Sequence, residues 1–329
     1  MTNEPTLRVL SLGAGVQSTA LLILAARGDL PKLDAAIFSD TGWEPKSVYE
    51  HLDRLEREVA APAGIPIYRV TSGNIRDDAL DPEHRFASMP LYIRNADGTE
   101  GMTRRQCTSE YKLKPIKRKV RELLGYPHPK PVPKGVFIEQ WIGISTDERD
   151  RALDKDTGEL KVGDVKYARN RYPLLDLDMS RDACHVLLNA TGFGETPKSA
   201  CIGCPFHTNA MWRDLRDNHP AEFADAVDFD DAIRAGSARA NANGSALRGT
   251  AFLHRSRLPL ADAPIDRVTF NEWAGRQTNL LHMVSLAEFE ESLSADDNRQ
   301  IAGCSPFGCR DGEDVEDDDD NDEAAPIPA

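Results

Sequence analysis

The cysteines are the residues of this sequence whose spacing most directly indicates chemistry. Cys201 and Cys204 form a CxxC pair within SACIGCPF, and a third cysteine, Cys107, lies within RRQCTSEYK. Two thiolates on one turn are spaced to bind zinc or an iron–sulfur cluster, or to form a redox dithiol. The surrounding residues do not resemble a thioredoxin-like unit, so the pair indicates a metal site completed by distant residues. Cys107 is the natural third ligand, with Cys304 or Cys309 as a fourth.

A glycine-containing junction near the start of the chain is the second such feature. In SLGAGVQSTALL an apolar run meets two glycines and then a helical pattern. Glycines at such a junction let backbone N–H groups approach a ligand closely, and the N-terminus of the following helix favours an anion. A polar turn, SDTG, ends the next predicted strand. Because ligands of parallel sheets bind at the carboxyl ends of the strands, both segments are predicted to face one ligand site.

The elements that position these segments alternate as in α/β proteins. The pattern predicts strands at 8–15, 33–42 and 65–71, with helices at 16–28 and 45–64 between them. Helices of this length imply right-handed crossovers and therefore a parallel sheet.

Beyond residue 71 the pattern is less regular. It predicts, in order, a long loop or lid (72–103), a helix (about 111–124), a fourth strand (137–146), a polar segment (153–172), a helix capped by Ser180 (177–192), further helices to about 235, an irregular segment (236–268) and a helix near 286–295.

The charges are unevenly distributed along the chain. It carries 54 Asp and Glu against 40 Lys and Arg, and ten of the acidic residues lie in the segment 311–329, which has no basic residue. This acidic tail is predicted to be disordered, and the rest of the chain is close to neutral. That balance does not indicate a general nucleic-acid-binding protein. The segment 104–121, with eight Lys and Arg and one Glu, leaves open a local nucleic-acid footprint.

The remaining composition predicts a soluble, cytoplasmic protein with no membrane contact. No apolar run is long enough to span a bilayer, and the N-terminus lacks a basic region followed by an apolar stretch. Disulfides are not expected in that compartment. Cys184, among apolar neighbours, is predicted to be a core thiol. The indoles of Trp43, Trp141 and Trp212 are predicted to pack inside the protein.

Five segments, in consistent order over roughly residues 6 to 260, resemble the phosphoadenosine-phosphosulfate reductase-like branch of the PP-loop, adenine-nucleotide α-hydrolase superfamily. They are SLGAGVQSTALL, IFSDTGWEPKSVYEHL, RRQCTSEYKLKPIKR, WIGISTDERDR and SACIGCPF. The resemblance implies a three-layer α/β/α, Rossmann-like sandwich with a parallel five-stranded sheet, followed by a helical extension. We predict a nucleotide-binding core at 1–175, a helical, CxxC-bearing region at 176–310 and the tail at 311–329.

The resemblance also implies roles for individual residues. ATP, or an adenylyl sulfate nucleotide, would be bound by Ser11, Gly13, Gly15, Gln17, Ser18, Ser39, Asp40, Thr41, Gly42 and Gly143. The charged residues that would act on the reacting group are Arg104, Arg105, Lys112, Asp147 and Arg149. A [4Fe–4S] cluster would be bound by Cys107, Cys201, Cys204 and either Cys304 or Cys309, or by three cysteines with one iron left open.

Three departures from the family pattern keep alternatives open. ATP-cleaving members have an aspartate where this chain has Gln17, which favours a sulfonucleotide and weakens a role for Mg²⁺ at that position. The reductases carry a nucleophilic cysteine in an ECGxH-type segment, whereas this chain has GCSPFGCRDG. Iron–sulfur reductases commonly have two adjacent cysteines where this chain has Gln106 and Cys107.

Three functions follow as expectations. The first is ATP-dependent thiolation of a tRNA, DNA or small-molecule acceptor, with formation of AMP and pyrophosphate, Mg²⁺ as an optional cofactor and a sulfur donor protein as partner. The second is thiol-dependent reduction of phosphoadenylyl or adenylyl sulfate, with an electron donor protein. The third is a non-catalytic nucleotide- or nucleic-acid-binding protein with a structural metal site. Each is compatible with a homodimer.

Overall fold

The structure, a computed structural model, describes residues 4–84, 89–236, 247, 249–269 and 272. Its strands are, in chain order, β1 (Leu7–Ser11), β2 (Ala35–Asp40), β3 (Ile67–Thr71), β4 (Tyr92–Asn95), β5 (Glu100–Met102), β6 (Ile138–Trp141), β7 (Ala168–Arg171) and β8 (Gly249–Phe252). Its α-helices are α1 (Val16–Arg27), α2 (Lys46–Leu55), α3 (Ile75–Leu80), α4 (Lys114–Leu123), α5 (Pro173–Asp176), α6 (Arg181–Ala190), α7 (Asn209–Asn218) and α8 (Pro220–Ala232).

The central sheet is five-stranded and parallel, in the order β3-β2-β1-β6-β7. Strand β1 lies in the middle, with Val9 paired to Ala35 of β2 on one side and to Gln140 of β6 on the other. The strand order reverses between β1 and β6, and ligands of open parallel sheets bind outside the carboxyl ends of the strands at such a point. The loops after β1, β2 and β6 therefore meet at one edge.

Alternating side chains of the strands pack into two separate cores, which produces the three layers. Leu10 and Phe38 point to the face covered by α1, α2 and α6. Their neighbours Val9 and Ile37 point to the opposite face, where they meet Ile116 and the rest of α4. Because both faces of the sheet are covered, its central strands are apolar throughout. This architecture confirms the predicted α/β/α sandwich.

A second, smaller sheet corrects the prediction of a long loop at 72–103. That segment contains α3, β4 and β5, and β4 pairs antiparallel with both β5 and the distant β8. Strand β8 lies within 236–268, which was predicted to be irregular. Trp43, Trp212 and Phe229 belong to the buried core between this sheet and helices α3, α7 and α8. Trp141 is buried in the main core, so all three predicted packing roles for tryptophan are confirmed.

The fifth strand of the main sheet is a further correction, because β7 lies within the polar segment 153–172. Its residues, ARNR, have no apolar alternation, and edge pairing with β6 forms the strand. The Arg169 guanidinium lies over the Phe137 ring at 3.6 Å, and Arg171 pairs with Glu139 and Asp176. The aliphatic stems and charges of the arginines thus replace apolar side chains at this edge.

The helix boundaries agree with the predictions in most places. Ser180 caps α6, since its Oγ accepts a hydrogen bond from the Ala183 N–H at 3.1 Å. The helix predicted at 45–64 begins at Lys46 but continues beyond Leu55 as a π-helical turn, Glu56–Ala60.

No helix in the described ranges is both long and apolar enough to cross a bilayer. The helix predicted near 286–295, the last two cysteines and the acidic tail lie outside the described residues.

Candidate functional site

The first-strand loop, residues 12–15, connects β1 to α1. Ala14 adopts a left-handed conformation with φ of 54°, and Gly15 precedes the first turn of α1. Ser18 closes the loop locally, because its Oγ accepts from the Gly15 N–H and donates to the Gly15 carbonyl. The first turn of α1 contains no acidic residue. Its N-terminal N–H groups and helix dipole therefore favour an anionic ligand.

The loop after β6, residues 142–148, packs against the first turn of α1. A Cβ placed on Gly143 would lie 3.0 Å from the backbone nitrogen of Ser18 and 3.2 Å from the Gln17 Cβ, so a glycine is needed for this close approach. The Gln17 side-chain amide donates to Glu148 at 3.3 Å and accepts from the Arg181 guanidinium at 3.4 Å. Gln17 therefore joins the first-strand loop to the loop after β6.

Asp147 and Arg149, the charged residues predicted after the fourth strand, do not connect to the first-strand loop as Gln17 does. Asp147 accepts from the Arg181 N–H through both carboxylate oxygens at 3.1 Å, which stabilises the start of α6. Arg149 is exposed. The buried Glu148 carboxylate instead pairs with Arg151 at 2.5 Å.

The second-strand turn, residues 39–44, follows β2 and is held by its own polar side chains. The Ser39 hydroxyl donates to the Tyr111 carbonyl at 2.7 Å. Asp40 Oδ1 accepts from the Gly42 N–H and the Tyr49 hydroxyl, each at 2.8 Å, and burial together with this carboxylate raises the pKa of Tyr49. Gly42 has a φ of 74°, and a Cβ there would lie 2.8 Å from Asn74. These residues shape the turn that presents Thr41.

Three cysteines line one cavity at the same edge of the sheet. Cys201 and Cys204 come from the turn before α7, and Cys107 comes from the segment before α4. The cavity is partly open to solvent, and the polar side chains that line it are those of Thr41, Thr108, Arg105 and Lys112. We call it the cysteine cavity. It brings together the CxxC pair and the third cysteine that the sequence predicts.

The CxxC pair is attached to the second-strand turn. Cys201 Sγ lies 3.2 Å from Thr41 Oγ1, and the Ile202 N–H donates to the Trp43 carbonyl at 2.8 Å. A Cβ placed on Gly203 would lie 2.0 Å from the indole ring of Trp43, so only glycine fits between the two cysteines. The His207 ring contacts the Cys201 carbonyl at 2.8 Å from the other side. These contacts place Cys201 directly beside the end of β2.

A buried ion pair lies next to Cys201. Glu44 Oε1 is 3.7 Å from Cys201 Sγ and 3.6 Å from Lys112 Nζ, and it accepts a hydrogen bond from Thr41 at 3.2 Å. Burial makes a lone carboxylate costly, and the ammonium and hydroxyl offset that cost. Among the basic residues predicted around Cys107, Lys112 and Arg105 therefore belong to the cavity, with the Arg105 guanidinium over the Phe206 ring at 4.8 Å. Arg104 is exposed.

Several of the remaining basic side chains in 104–121 are paired with other groups of the chain. The internal partners are Glu110 for Lys114, Asp164 for Lys117, Glu122 for Lys119 and two backbone carbonyls for Arg121. Arg118 is exposed. Three of these lysines therefore offset neighbouring acidic groups, and Arg121 binds backbone carbonyls.

The other cysteine of the described chain is structural. Cys184 is fully buried in the main core, as predicted, and burial raises the pKa of its thiol to about 12.

Three residues of the site receive no role from the sequence: Glu44, Arg181 and Ser199. Glu44 follows the SDTGW segment, and its acidic type gives no indication that it is buried against a thiol. Arg181 lies at the start of α6, and Ser199 precedes the CxxC pair. Only the packing of the loops brings them to the site.

Within the described residues, no group of three or more His, Cys, Asp or Glu side chains is arranged to hold a single metal ion. Comparison with known proteins adds no assignment: no family model matches the chain, and no curated protein matches it.

Proposed function

We propose that this chain is a PP-loop enzyme that binds an adenine nucleotide at the first-strand loop and a [4Fe–4S] cluster in the cysteine cavity, and that it catalyses ATP-dependent thiolation. The observation that carries the proposal is that Cys107, Cys201 and Cys204 line one cavity, whose wall includes Thr41 at the end of β2. Sulfur chemistry and the expected nucleotide site are thereby neighbours.

The donor set is of the type that iron–sulfur clusters use, because cysteine thiolates bind their irons. Cys107, Cys201 and Cys204 line one cavity and would each bind one iron of such a cluster. Zinc accepts the same ligands, and the metal analysis described below distinguishes the two. Arg105 would compensate part of the negative charge of three thiolates and sulfide, whereas the charge of Lys112 is already offset by Glu44. When bound, the cluster would supply the sulfur that replaces an adenylated oxygen of the acceptor and releases AMP.

The chain's own residues would carry out the nucleotide half of the reaction. The N–H groups at the start of α1 would bind the phosphates, with Gly13 and Gly15 leaving room for them. An acceptor oxygen would attack the α-phosphorus, forming the adenylated acceptor and releasing pyrophosphate. The loop N–H groups would stabilise the charge that develops on the phosphate oxygens. Arg181, held at the loop by Gln17, is a further cation close to that charge.

A small-molecule acceptor is favoured over tRNA or DNA. Nucleic-acid binding depends on basic side chains that neutralise phosphates and release counterions. In the segment 104–121 at least five of the eight basic side chains already have partners within the chain, namely Lys112, Lys114, Lys117, Lys119 and Arg121. Binding of a generic tRNA that weakens steeply with salt would contradict this choice.

Sulfonucleotide reduction is the second candidate, and Gln17 is the observation that favours it. Its amide occupies the position of a carboxylate in ATP-cleaving members and is bound to Glu148 and Arg181. In this reaction two thiols would be oxidised to a disulfide while the sulfate group of the nucleotide is reduced to sulfite. Two product assays distinguish the candidates. Release of pyrophosphate from ATP in the presence of an acceptor would support thiolation. Release of sulfite from adenylyl sulfate, with no pyrophosphate from ATP, would refute thiolation and support reduction.

Metal analysis tests the cluster separately from the reaction. The chain is purified anaerobically, and iron, acid-labile sulfide and zinc are quantified for the wild type and for Cys107→Ala, Cys201→Ala and Cys204→Ala. We expect iron and sulfide in equal amounts in the wild type and a loss of both in each variant. The matched control, Cys184→Ala, should retain them, since Cys184 lies in a different core. Zinc without sulfide in the wild type would refute the cluster.

A further inference from the structure

Ser199 lies against the first-strand loop and two residues before Cys201. A Cβ placed on Gly15 would lie 3.5 Å from the Ser199 Cβ, and one placed on Gly13 would lie 3.9 Å from the Ser199 Oγ. The absence of side chains on both glycines therefore leaves the Ser199 hydroxyl next to the loop backbone. The segment before the CxxC pair thus forms one wall of the expected phosphate site.

The hydroxyl of Ser199 makes no hydrogen bond within the part of the chain that the structure describes. The residue is only 7% exposed. Its Oγ is not one of the fully enclosed polar atoms that lack a partner, so a ligand in the loop can reach it. The N–H groups at the start of α1 favour an anion in the same place. An anionic oxygen beside the loop would accept from both.

We propose that Ser199 is a phosphate-binding residue that donates its hydroxyl hydrogen to a nucleotide phosphate in the first-strand loop and thereby couples nucleotide binding to the CxxC pair. The inference rests on the proposed function, because it needs a nucleotide in that loop. It goes beyond that function by giving a role to a residue to which the resemblance assigns none. It also connects two sites that the sequence presents as separate.

The coupling follows from how the CxxC segment is held. Cys201 contacts Thr41, and the Ile202 N–H binds the Trp43 carbonyl, so the segment is attached to the second-strand turn. Through Ser199 a bound phosphate would attach the same segment to the first-strand loop. With the CxxC segment restrained at both the first-strand loop and the second-strand turn, Cys201 would move toward solvent less often. By thermodynamic reciprocity, a ligand that orders the cysteines tightens nucleotide binding by the same factor.

Comparing ATP with adenosine, which has no phosphate, distinguishes the loss of a phosphate contact from a general loss of nucleoside binding. The dissociation constants of ATP and adenosine are measured by calorimetry for the wild type and Ser199→Ala. We expect Ser199→Ala to weaken ATP binding about tenfold, the size of one hydrogen bond to a charged group, and to leave adenosine binding unchanged. The control is Thr196→Ala, which removes a hydroxyl of the same segment that donates to the Phe193 carbonyl. It should bind both ligands like the wild type.

The coupling is measured by alkylation of individual cysteines. Iodoacetamide labelling of Cys201, followed by peptide mass spectrometry, is timed with and without saturating ATP on the full chain after iron has been removed with a chelator, so that the thiol is not ligated. We expect ATP to slow the labelling of Cys201 at least about fivefold in the wild type and to have little effect in Ser199→Ala, even at ATP concentrations that saturate the variant.

The outcomes distinguish this inference from the proposed function. Unchanged ATP affinity in Ser199→Ala, an equal loss of ATP and adenosine binding, or equal protection of Cys201 in both proteins would overturn the inference alone. Failure of the wild type to bind any adenine nucleotide would remove the proposed function and this inference together.

Discussion

Thr41 Oγ1 lies 3.2 Å from Cys201 Sγ, a contact between two residues that are 160 positions apart in the sequence. Both side chains are buried, and the same hydroxyl also donates to Glu44. One threonine thus connects the end of β2, a buried ion pair and the CxxC pair.

Removing that hydroxyl should loosen the CxxC pair. Thr41→Val keeps the shape of the side chain but leaves Glu44 and Cys201 without this partner, and we expect a loss of about 1–2 kcal/mol in the free energy of unfolding. Chemical denaturation measures the loss, and iodoacetamide labelling of the full chain freed of iron should show faster modification of Cys201. Thr41→Ser retains the hydroxyl and should label like the wild type. Identical labelling of Cys201 in the valine variant and the wild type would contradict the contact's role.

Gly143 should be required for the shape of the proposed nucleotide site. A Cβ in Gly143→Ala would lie 3.0 Å from the Ser18 nitrogen, so the first turn of α1 must move. Overpacking of this kind costs about 1–3 kcal/mol, and we expect ATP to bind about tenfold more weakly in a calorimetric titration. Gly101→Ala is the matched control, because a Cβ there would have no neighbour within 4 Å. Wild-type ATP affinity in Gly143→Ala would show that the loop adapts.

Asp230 should be among the most sensitive positions for stability. Its side chain is fully buried, and it accepts from the Leu253 N–H at 2.7 Å and the Leu260 N–H at 2.9 Å. It also pairs with Arg234. We expect Asp230→Ala to lower the free energy of unfolding by about 3–5 kcal/mol, because two buried N–H groups and a guanidinium lose their acceptor.

The neighbouring Asp231 provides the control for that measurement. Its carboxylate also contacts Arg234, but 66% of its side chain is exposed. Asp231→Ala should therefore change the unfolding free energy by less than about 1 kcal/mol. Equal losses in both variants would show that the buried hydrogen bonds of Asp230 contribute little.

Stability should fall on mild acidification because of two buried histidines. Burial lowers the pKa of His51 and of His254 from 6.5 to about 4, with Arg54 and Arg255 as smaller causes. The unfolded chain binds protons near pH 6.5 and the folded chain only near pH 4, so stability is lost as the pH drops through this window. We expect a loss on the order of 1–2 kcal/mol for each histidine between pH 7 and pH 5.

Urea denaturation at a series of pH values measures this dependence. The variant His51→Gln keeps a group that can bond Thr19, the partner of His51 at 3.0 Å, and has no titratable side chain. Its unfolding free energy should depend less steeply on pH than that of the wild type. A wild-type free energy that stays constant from pH 7 to pH 5 would contradict the assignment.

The sequence predicts the main sheet best where the information is local. In the first 71 residues each buried strand is an apolar run and each helix has its own periodicity, so β1, β2, β3 and the intervening helices follow from neighbouring residues. Strand β7 does not, because ARNR becomes a strand only through pairing with β6. The pairing of β4 with β8 joins residues 154 to 160 positions apart, and no local pattern encodes such a partner.

The same division applies to the site. By itself, the sequence determined the α/β class, the glycine loop, the CxxC pair and the choice of Cys107 as a third thiol, because each depends on residue type and spacing. Only the tertiary structure decided that Thr41 and Glu44 contact Cys201, that Gln17 binds Glu148 and Arg181, and that Ser199 lies against Gly13 and Gly15. The physical reason is that these contacts join loops at one edge of the sheet, where strand order brings together residues far apart in the chain.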